Sequence, residues 1–317
     1  MVNQMDIVPY VSEDFVLAPP LANIVRFKVE AASFRLGLEI FAKMGSKIYI
    51  RFTPAGFSVM VAPSVVIRKG GAKEAEGSAR QQSTGEYVFR KRNLLRYKYR
   101  VNDLAGYEYP HYDIAVYLND FISRISDVKR DYISFRVRVN FTASQDTGIE
   151  INTQGSAGGK NTPTIKPPAE IAYPGLSQYS HFYDGVNPHG LLSPTVLMSA
   201  ASTTKKSKVA ELEFRRYKLT GNVHVCAMPA GGGPAVVSEP LDGDLSNSEY
   251  EVDVDVETGY DIRKVIMKQN EWIHKMTKLS KSVVQVFMNI ENTEAPLCLC
   301  TFLGTQATAT FYIPHIP

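Results

Sequence analysis

The sequence predicts an α+β chain of predominantly antiparallel sheet, arranged as two similar domains of two β-α-β-β-β units each. Three observations predict it. Apolar and polar residues alternate with period two along most segments, the pattern of half-buried strands. Helical windows are few and only about three turns long. The order strand, helix, strand, turn, strand recurs near residues 24, 112, 189 and 260, at spacings of 88, 77 and 71. This is an internal repeat of pattern, although not of residue identity.

Strand alternation is clearest at 23–29, 48–52, 132–139 and 283–288. The first helix, 31–44, sets Phe34, Leu38 and Phe41 on one face and Arg35, Glu39 and Lys43, four residues apart, on another. A second, 119–128, takes Asn119 as its cap and turns Phe121, Ile122 and Ile125 inward. The third, 194–204, has Ser193 as cap and Pro194 at its first position, where a missing N–H costs nothing. In the fourth, 269–279, Trp272, Ile273, Met276 and Leu279 share one stripe. Gly, Pro, Asn and Ser crowd residues 155–190, and Lys166-Pro167-Pro168 and Tyr173-Pro174-Gly175 break any element there. The expected division is therefore an N-terminal domain at 1–164, a connector at 165–190 and a C-terminal domain at 191–317. Residues 66–84 and 228–248 read as polar, Gly-rich insertions.

With 317 residues, 44% of them hydrophobic and 21% charged, the chain can bury a real core and is neither fibrous nor disordered for most of its length. The first 16 residues carry Asp6, Glu13 and Asp14 and no basic run before an apolar one, which argues against a secretory signal. No apolar stretch approaches the roughly 18–20 residues of a spanning helix, so no membrane partner is expected. Three cysteines, Cys226, Cys298 and Cys300, are too few for a disulfide framework and agree with a reducing, intracellular setting. The net charge of +3 hides segregation: residues 239–257 hold eight acidic and no basic residues, leaving +11 on the remainder. A polyanion is the partner such a balance suggests.

Residues 265–283 resemble the last helix, Leu-Ser and edge strand of the sliding clamps, the family of proliferating cell nuclear antigen. Ala295-Pro296-Leu297, the turn at Gly304 and the ending Phe311-Tyr312-Ile313-Pro314-His315-Ile316 are similar to the family's C-terminus, with Ile313 and His315 where it usually has Ala and Lys. Residues 29–60, through Thr53-Pro54-Ala55-Gly56, and the junction Ala115-Val116-Tyr117-Leu118-Asn119-Asp120-Phe121 resemble its first and second units. The third unit fits poorly and the long insertions are untypical, so the expectation is a divergent, viral member. The resemblance implies the DNA clamp fold with its short helices on one face, and a non-catalytic processivity factor without cofactor. It further implies a homotrimeric ring around double-stranded DNA, in the nucleus or a viral replication compartment. Such a ring tethers a DNA polymerase and other replication or repair proteins through short peptide motifs.

Carried over position by position, the basic residues facing DNA are Arg35 and Lys43 on the first helix, Arg124 on the second, Lys205, Lys206 and Lys208 after the third, and Lys268 and Lys275 on the fourth. A solvated helix face explains any one of them equally well. A phosphate-neutralising inner wall binds duplex regardless of sequence and so permits sliding. The implied partner cleft takes Val61 and Ala62 after the first hairpin, Ile171, Tyr173 and Leu176 of the connector, and Phe311, Pro314 and Ile316 at the end. Packing at domain edges is the plainer reading of these.

Two tracts stand outside the resemblance. Arg90-Lys91-Arg92 and Arg96-Tyr97-Lys98-Tyr99-Arg100 form the densest basic and aromatic run, suited to single strands by stacking and charge, or simply an exposed strand. Glu251, Asp253, Asp255 and Glu257 alternate with valines, a ladder that solvates an edge more readily than it binds metal. Enzyme signatures are missing: residues 155–161 lack the Gly and Ser or Thr of a phosphate loop, Cys298 and Cys300 lack a partner pair for zinc, and the six histidines are scattered. The alternatives are a processivity factor of the herpesvirus kind that forms no ring, and a strand-rich viral structural protein such as a jelly-roll capsid component. A jelly roll has no reason to repeat a short helix after every first strand.

Overall fold

The computed structural model describes residues 23–61, 83–102, 106–126, 131–139, 148–152, 160–163, 182–183, 186–195, 197, 200, 209–217, 223–229, 236–238, 259–267, 270–276, 278, 283–289, 292 and 295–314. Most of the expected connector, the Gly-rich insertions and the acidic ladder at 251–257 lie outside the described residues.

In chain order the first half contributes β1 (Ile24–Glu30), α1 (Ala31–Phe41), β2 (Lys47–Thr53), β3 (Gly56–Val61), β4 (Thr84–Arg90), a 3-10 turn (Lys91–Asn93) and β5 (Arg96–Arg100). It continues with β6 (Tyr112–Tyr117), α2 (Leu118–Ser126), β7 (Tyr132–Arg138), β8 (Gly148–Asn152) and β9 (Lys160–Pro163). The second half supplies β10 (Gly190–Leu192), β11 (Val209–Tyr217), β12 (Val223–Pro229), β13 (Val236–Ser238), β14 (Tyr260–Ile266), α3 (Ile273–Met276), β15 (Val284–Phe287), β16 (Leu297–Leu303) and β17 (Ala307–Ile313).

These strands form three antiparallel sheets. The central one has the order β10-β15-β16-β17-β4-β3-β2-β6, flanked by β5-β1-β7-β8-β9 and β13-β12-β11-β14. Read inward from either outer edge, the central sheet passes through the same sequence of roles: the strand that opens an inner unit (β6 or β10), then the three strands that follow α1 or α3. The two halves meet where β4 pairs with β17, from Thr84 against Tyr312 to Phe89 against Ala307. In the flanking sheets, β1-β7-β8-β9 corresponds to β14-β11-β12-β13, and β5 is an addition beside β1. The repeat read from sequence is thus the repeat of the fold.

Period two decides which side chains enter the core. On β1, Val25, Phe27 and Val29 are buried while the residues between them are half-exposed. Phe27 lies 4.5 Å from Phe57 and 4.7 Å from Phe135, ring centre to centre, so it joins β1, β3 and β7. Phe34 of α1 meets Phe89 edge-on at 5.8 Å and Phe121 of α2 at 6.2 Å. Each such pair adds about 0.5–1.5 kcal/mol beyond its buried area.

A second aromatic group sits on the β4–β17 junction. Tyr87 stacks on Phe41 at 4.1 Å, and its hydroxyl donates to the Gly37 carbonyl at 2.9 Å. Phe311 meets Tyr87 edge-on, and Trp272 stacks on Phe311 at 4.7 Å. Burial raises the Tyr87 phenol well above its usual value and keeps it a donor. Gly37 has to be glycine: a Cβ there would lie 2.9 Å from the Tyr87 ring and 3.1 Å from Leu303. The buried Asn270 accepts from Ser83 and from Trp272 Nε1 at 3.1 Å, and donates to the Ile266 carbonyl at 3.0 Å.

The helices depart from the sequence expectation at their ends. α1 stops at Phe41, where bonds from Lys43 to Ile40 and from Met44 to Phe41 tighten the last turn. Its first turn is capped from the other half of the chain: the Glu30 N–H donates to Gln306 Oε1 at 2.7 Å, from the β16–β17 hairpin whose Gly304 takes φ 58°. α2 begins at Leu118, one residue before the expected cap Asn119, because the buried Leu118 bonds its N–H to the Ser46 carbonyl at 2.9 Å and continues β6 without a break. Ser193 does cap: its Oγ accepts from Thr195 at 3.2 Å, and Leu197 N–H bonds to the Ser193 carbonyl at 3.1 Å. α3 is regular over only four residues, Ile273–Met276, entered by i+3 bonds from Ile273 to Asn270 and His274 to Glu271. Trp272, Ile273 and Met276 are buried as expected, and Leu279 lies outside the described residues.

Replacing Gly37 by Val overpacks the junction and is expected to lower stability by about 1–3 kcal/mol, and Phe311→Ala by about 3–5 kcal/mol, both measured by urea unfolding. His189 gives a pH signature. Its Nδ1 accepts from Met288 N–H at 3.0 Å, and burial, then Arg216, depress its pKa below the usual imidazole value. The unfolded chain therefore binds this proton more readily, so the contribution is present above about pH 6.5 and fades as pH falls through the depressed folded value. His189→Asn keeps an acceptor and is expected to flatten the loss of stability below about pH 6.5, followed by thermal melts.

Candidate nucleic-acid interface and partner cleft

The helices pack together: α1 contacts both α2 and α3. Residues 35 and 39 of α1, with Lys43 in the turn that follows it, form the stripe next to the buried one, and that stripe meets α3. Lys43 Nζ lies 3.7 Å from Glu271 and Lys275 Nζ 2.7 Å from Glu39, so the two helices run antiparallel, zipped by crossed ion pairs. All four side chains are at least a third exposed, and each pair contributes about 0–1 kcal/mol, screened by salt. Arg35 continues the stripe. Its Nε and Nη2 are buried and hydrogen-bond to none of the described residues.

Arg124 is exposed on α2 and makes no ion pair with the described residues. Lys278, which the sequence reading passed over, is likewise exposed just after α3. Lys205, Lys206, Lys208 and Lys268 lie outside the described residues. The structure thus gathers Arg35, Lys43 and Lys275 on one helical seam, while Glu39, Glu271 and Asp120 offset part of its positive charge.

The expected partner cleft needs correcting. Val61 and Phe311 are fully buried and their side chains point into the main core, Phe311 between Tyr87 and Trp272. They offer nothing to a partner. The other side of the central sheet carries a separate apolar cluster of Tyr49, Met60, Ala115, Cys298 and Tyr312, against which Phe182, Tyr183 and Phe287 pack. Met60 and Tyr312, themselves buried with Phe182 and Tyr183 packed against their cluster, are one residue from Val61 and Phe311, and in a strand one residue is the other face. Counting by twos from the buried Ala307 and Ala309 reaches Phe311 and leaves Tyr312 to the other face. Tyr183 donates to the Pro296 carbonyl and lies 5.7 Å from the Phe287 ring, which fastens the end of the expected connector across this cluster. Pro314 is half-exposed at the end of β17. Ala62, Ile171, Tyr173, Leu176 and Ile316 lie outside the described residues.

Burial raises the thiol pKa of Cys298 and Cys300, so both stay protonated. Among the described residues no group of His, Cys, Asp or Glu is arranged to hold a metal, and no helix is long and apolar enough to cross a membrane.

No family model and no curated protein matches the chain. Among solved structures it is similar to the PCNA2-PCNA3 complex from Sulfolobus tokodaii, at 16% identity and a TM-score of 0.59, over 92% of this chain and 98% of that one. At that identity the likeness is one of fold.

A double-mutant cycle on Glu39 and Lys275, each changed to Gln, is expected to return a coupling of about 0.2–1 kcal/mol that shrinks in high salt, measured by urea unfolding.

Proposed function

We propose that this chain, which has the sliding-clamp fold, is a non-catalytic processivity factor. In this reading three copies join head to tail around duplex DNA and tether a polymerase and other replication or repair proteins. The observation that carries it is the division of faces: short helices with basic residues share one side, and an apolar cluster crossed by the chain's own Phe182-Tyr183 occupies the other side of the central sheet. Helices that present lysine and arginine without a groove-reading element bind phosphates and no particular sequence, which permits sliding.

Ring closure follows from the sheet edges. β9 and β13 end the two flanking sheets and belong to corresponding positions of the two halves. An unpaired edge is a template for another strand, and joining β9 of one copy to β13 of the next is a heterologous contact that closes when the rotation allows. Arg35, Lys43, Arg124 and Lys275, with Lys205, Lys206, Lys208 and Lys268 and the added Lys278, serve as the grip. The partner cleft is the Met60 and Tyr312 side of the sheet together with Pro314, Ile316, Ala62 and the connector residues Ile171, Tyr173 and Leu176. A short peptide with apolar anchors fits such a surface. An intracellular compartment in which DNA is copied, the nucleus or a viral replication site, belongs to the same reading.

Light scattering is expected to give a particle of three 35.2 kDa chains. Trapped on nicked circular duplex, the particle should resist high salt and leave when the circle is cut. Changing Arg124, Lys275 and Lys278 together to Gln is expected to shorten its residence severalfold without altering its mass. A monomer at every concentration, lost equally from circular and linear DNA, overturns the reading.

A further inference from the structure

A patch of positive charge among the described residues lies off the helices, on the solvent side of the β5-β1-β7 sheet. Lys98 of β5 stands opposite Arg26 of β1, which stands opposite Arg136 of β7, so three cations lie abreast. Arg96 stands opposite Lys28, and Arg100 closes the β5 row. Arg96 and Lys98 are exposed, and Arg26, Lys28 and Arg100 half-exposed. None of these five makes an ion pair with the described residues, in contrast to Lys43 and Lys275 on the helical seam.

Like charges directly opposite across strands destabilise a sheet. Carboxylates are not scarce, since the chain has 32 Asp and Glu, yet the rows of β5 and β1 hold only Glu30, at the far end and bonded to Ser33. On the far side Glu150 is the register partner of Arg136. Cations that repel one another here need a polyanion to compensate them. Past Arg96, the end of β4 and the 3-10 turn add Arg90, Lys91 and Arg92, all exposed, beside a groove of about 850 Å³ against the Gly56 turn.

An aromatic ring stands at one end of the cationic rows. Tyr132 is 39% exposed beside Lys28, whose Nζ lies 4.9 Å from its ring centre. Cations spaced by two residues, about 7 Å apart along a strand, with a ring to receive a base, form a stacking and charge platform for single strands.

We propose that the outer face of β5, β1 and β7 is a second nucleic-acid site, which binds single-stranded DNA or RNA through its phosphates and stacks a base on Tyr132. The site needs one chain and stands whether or not the ring forms.

The test titrates the full-length protein against fluorescein-labelled oligothymidine by anisotropy over a range of salt. The variant Arg26→Gln, Arg96→Gln, Lys98→Gln is expected to bind at least about tenfold more weakly, with a salt slope shallower by about 2, as three lost contacts to a single strand require. Its retention on circular duplex and its mass should match the parent, and its melting temperature should equal or exceed it because repulsion is relieved. The charge-preserving variant Arg26→Lys, Arg96→Lys, Lys98→Arg should keep the affinity. Tyr132→Ala should weaken oligothymidine severalfold and leave inorganic polyphosphate, which has charge without bases, unaffected. Unchanged oligothymidine binding by the triple Gln variant overturns the proposal. So does an altered mass at unchanged affinity, which would make the face a contact for the acidic segment of another copy. Equal loss of both ligands in the tyrosine variant also overturns it, leaving only a face for acidic polymers.

Discussion

The pairing of β4 with β17 is the contact on which the rest of the molecule depends. It joins strands more than 200 residues apart into one continuous sheet, and everything placed on that sheet inherits its position. Under the junction Tyr87, Phe311 and Trp272 pack in sequence against Phe41, and the Tyr87 hydroxyl reaches the backbone of α1. α1 can lie that close only because Gly37 has no side chain. The Gln306 cap extends the same arrangement, since the hairpin at the end of the chain satisfies the N–H at the start of α1. The seam between α1 and α3 follows from the junction. Its ion pairs trim the seam and do not create it, because exposed pairs contribute too little to hold two halves together.

A sheet continuous across the two halves also has two continuous faces. One is closed by the helices and filled with Phe, Leu, Ile and Val. The other carries Tyr49, Met60, Ala115, Cys298 and Tyr312, a patch drawn from both halves that no single repeat contains. Strand parity turns Val61 and Phe311 to the core and their neighbours Met60 and Tyr312 to the opposite side of the sheet, where Phe182 and Tyr183 pack against them.

Charge is distributed by the same logic. On the helical seam Glu39 and Glu271 pair with Lys275 and Lys43 and soften the field. On the β5-β1-β7 face, basic residues from three separate stretches of sequence come into register. Arg26 and Lys28 are only two ordinary cations in a strand when read along the chain; beside Lys98 and Arg96 they become part of a two-dimensional patch.

Sequence by itself determined the class of fold, the four-unit repeat, the inward residues of β1, α1 and α2, the Ser193 cap and the buried stripe at Trp272, Ile273 and Met276. All of these are local: a period of two or of 3.6, a cap or a breaker is written within a dozen residues. The placement of β5 beside β1, the start of α2 at Leu118, the parity of Met60 and Tyr312, the pairing of Lys43 and Lys275 and the basic sheet face were decided by tertiary structure. Each depends on which distant strand or helix lies alongside, and backbone register between segments far apart in sequence leaves no periodic trace within either one.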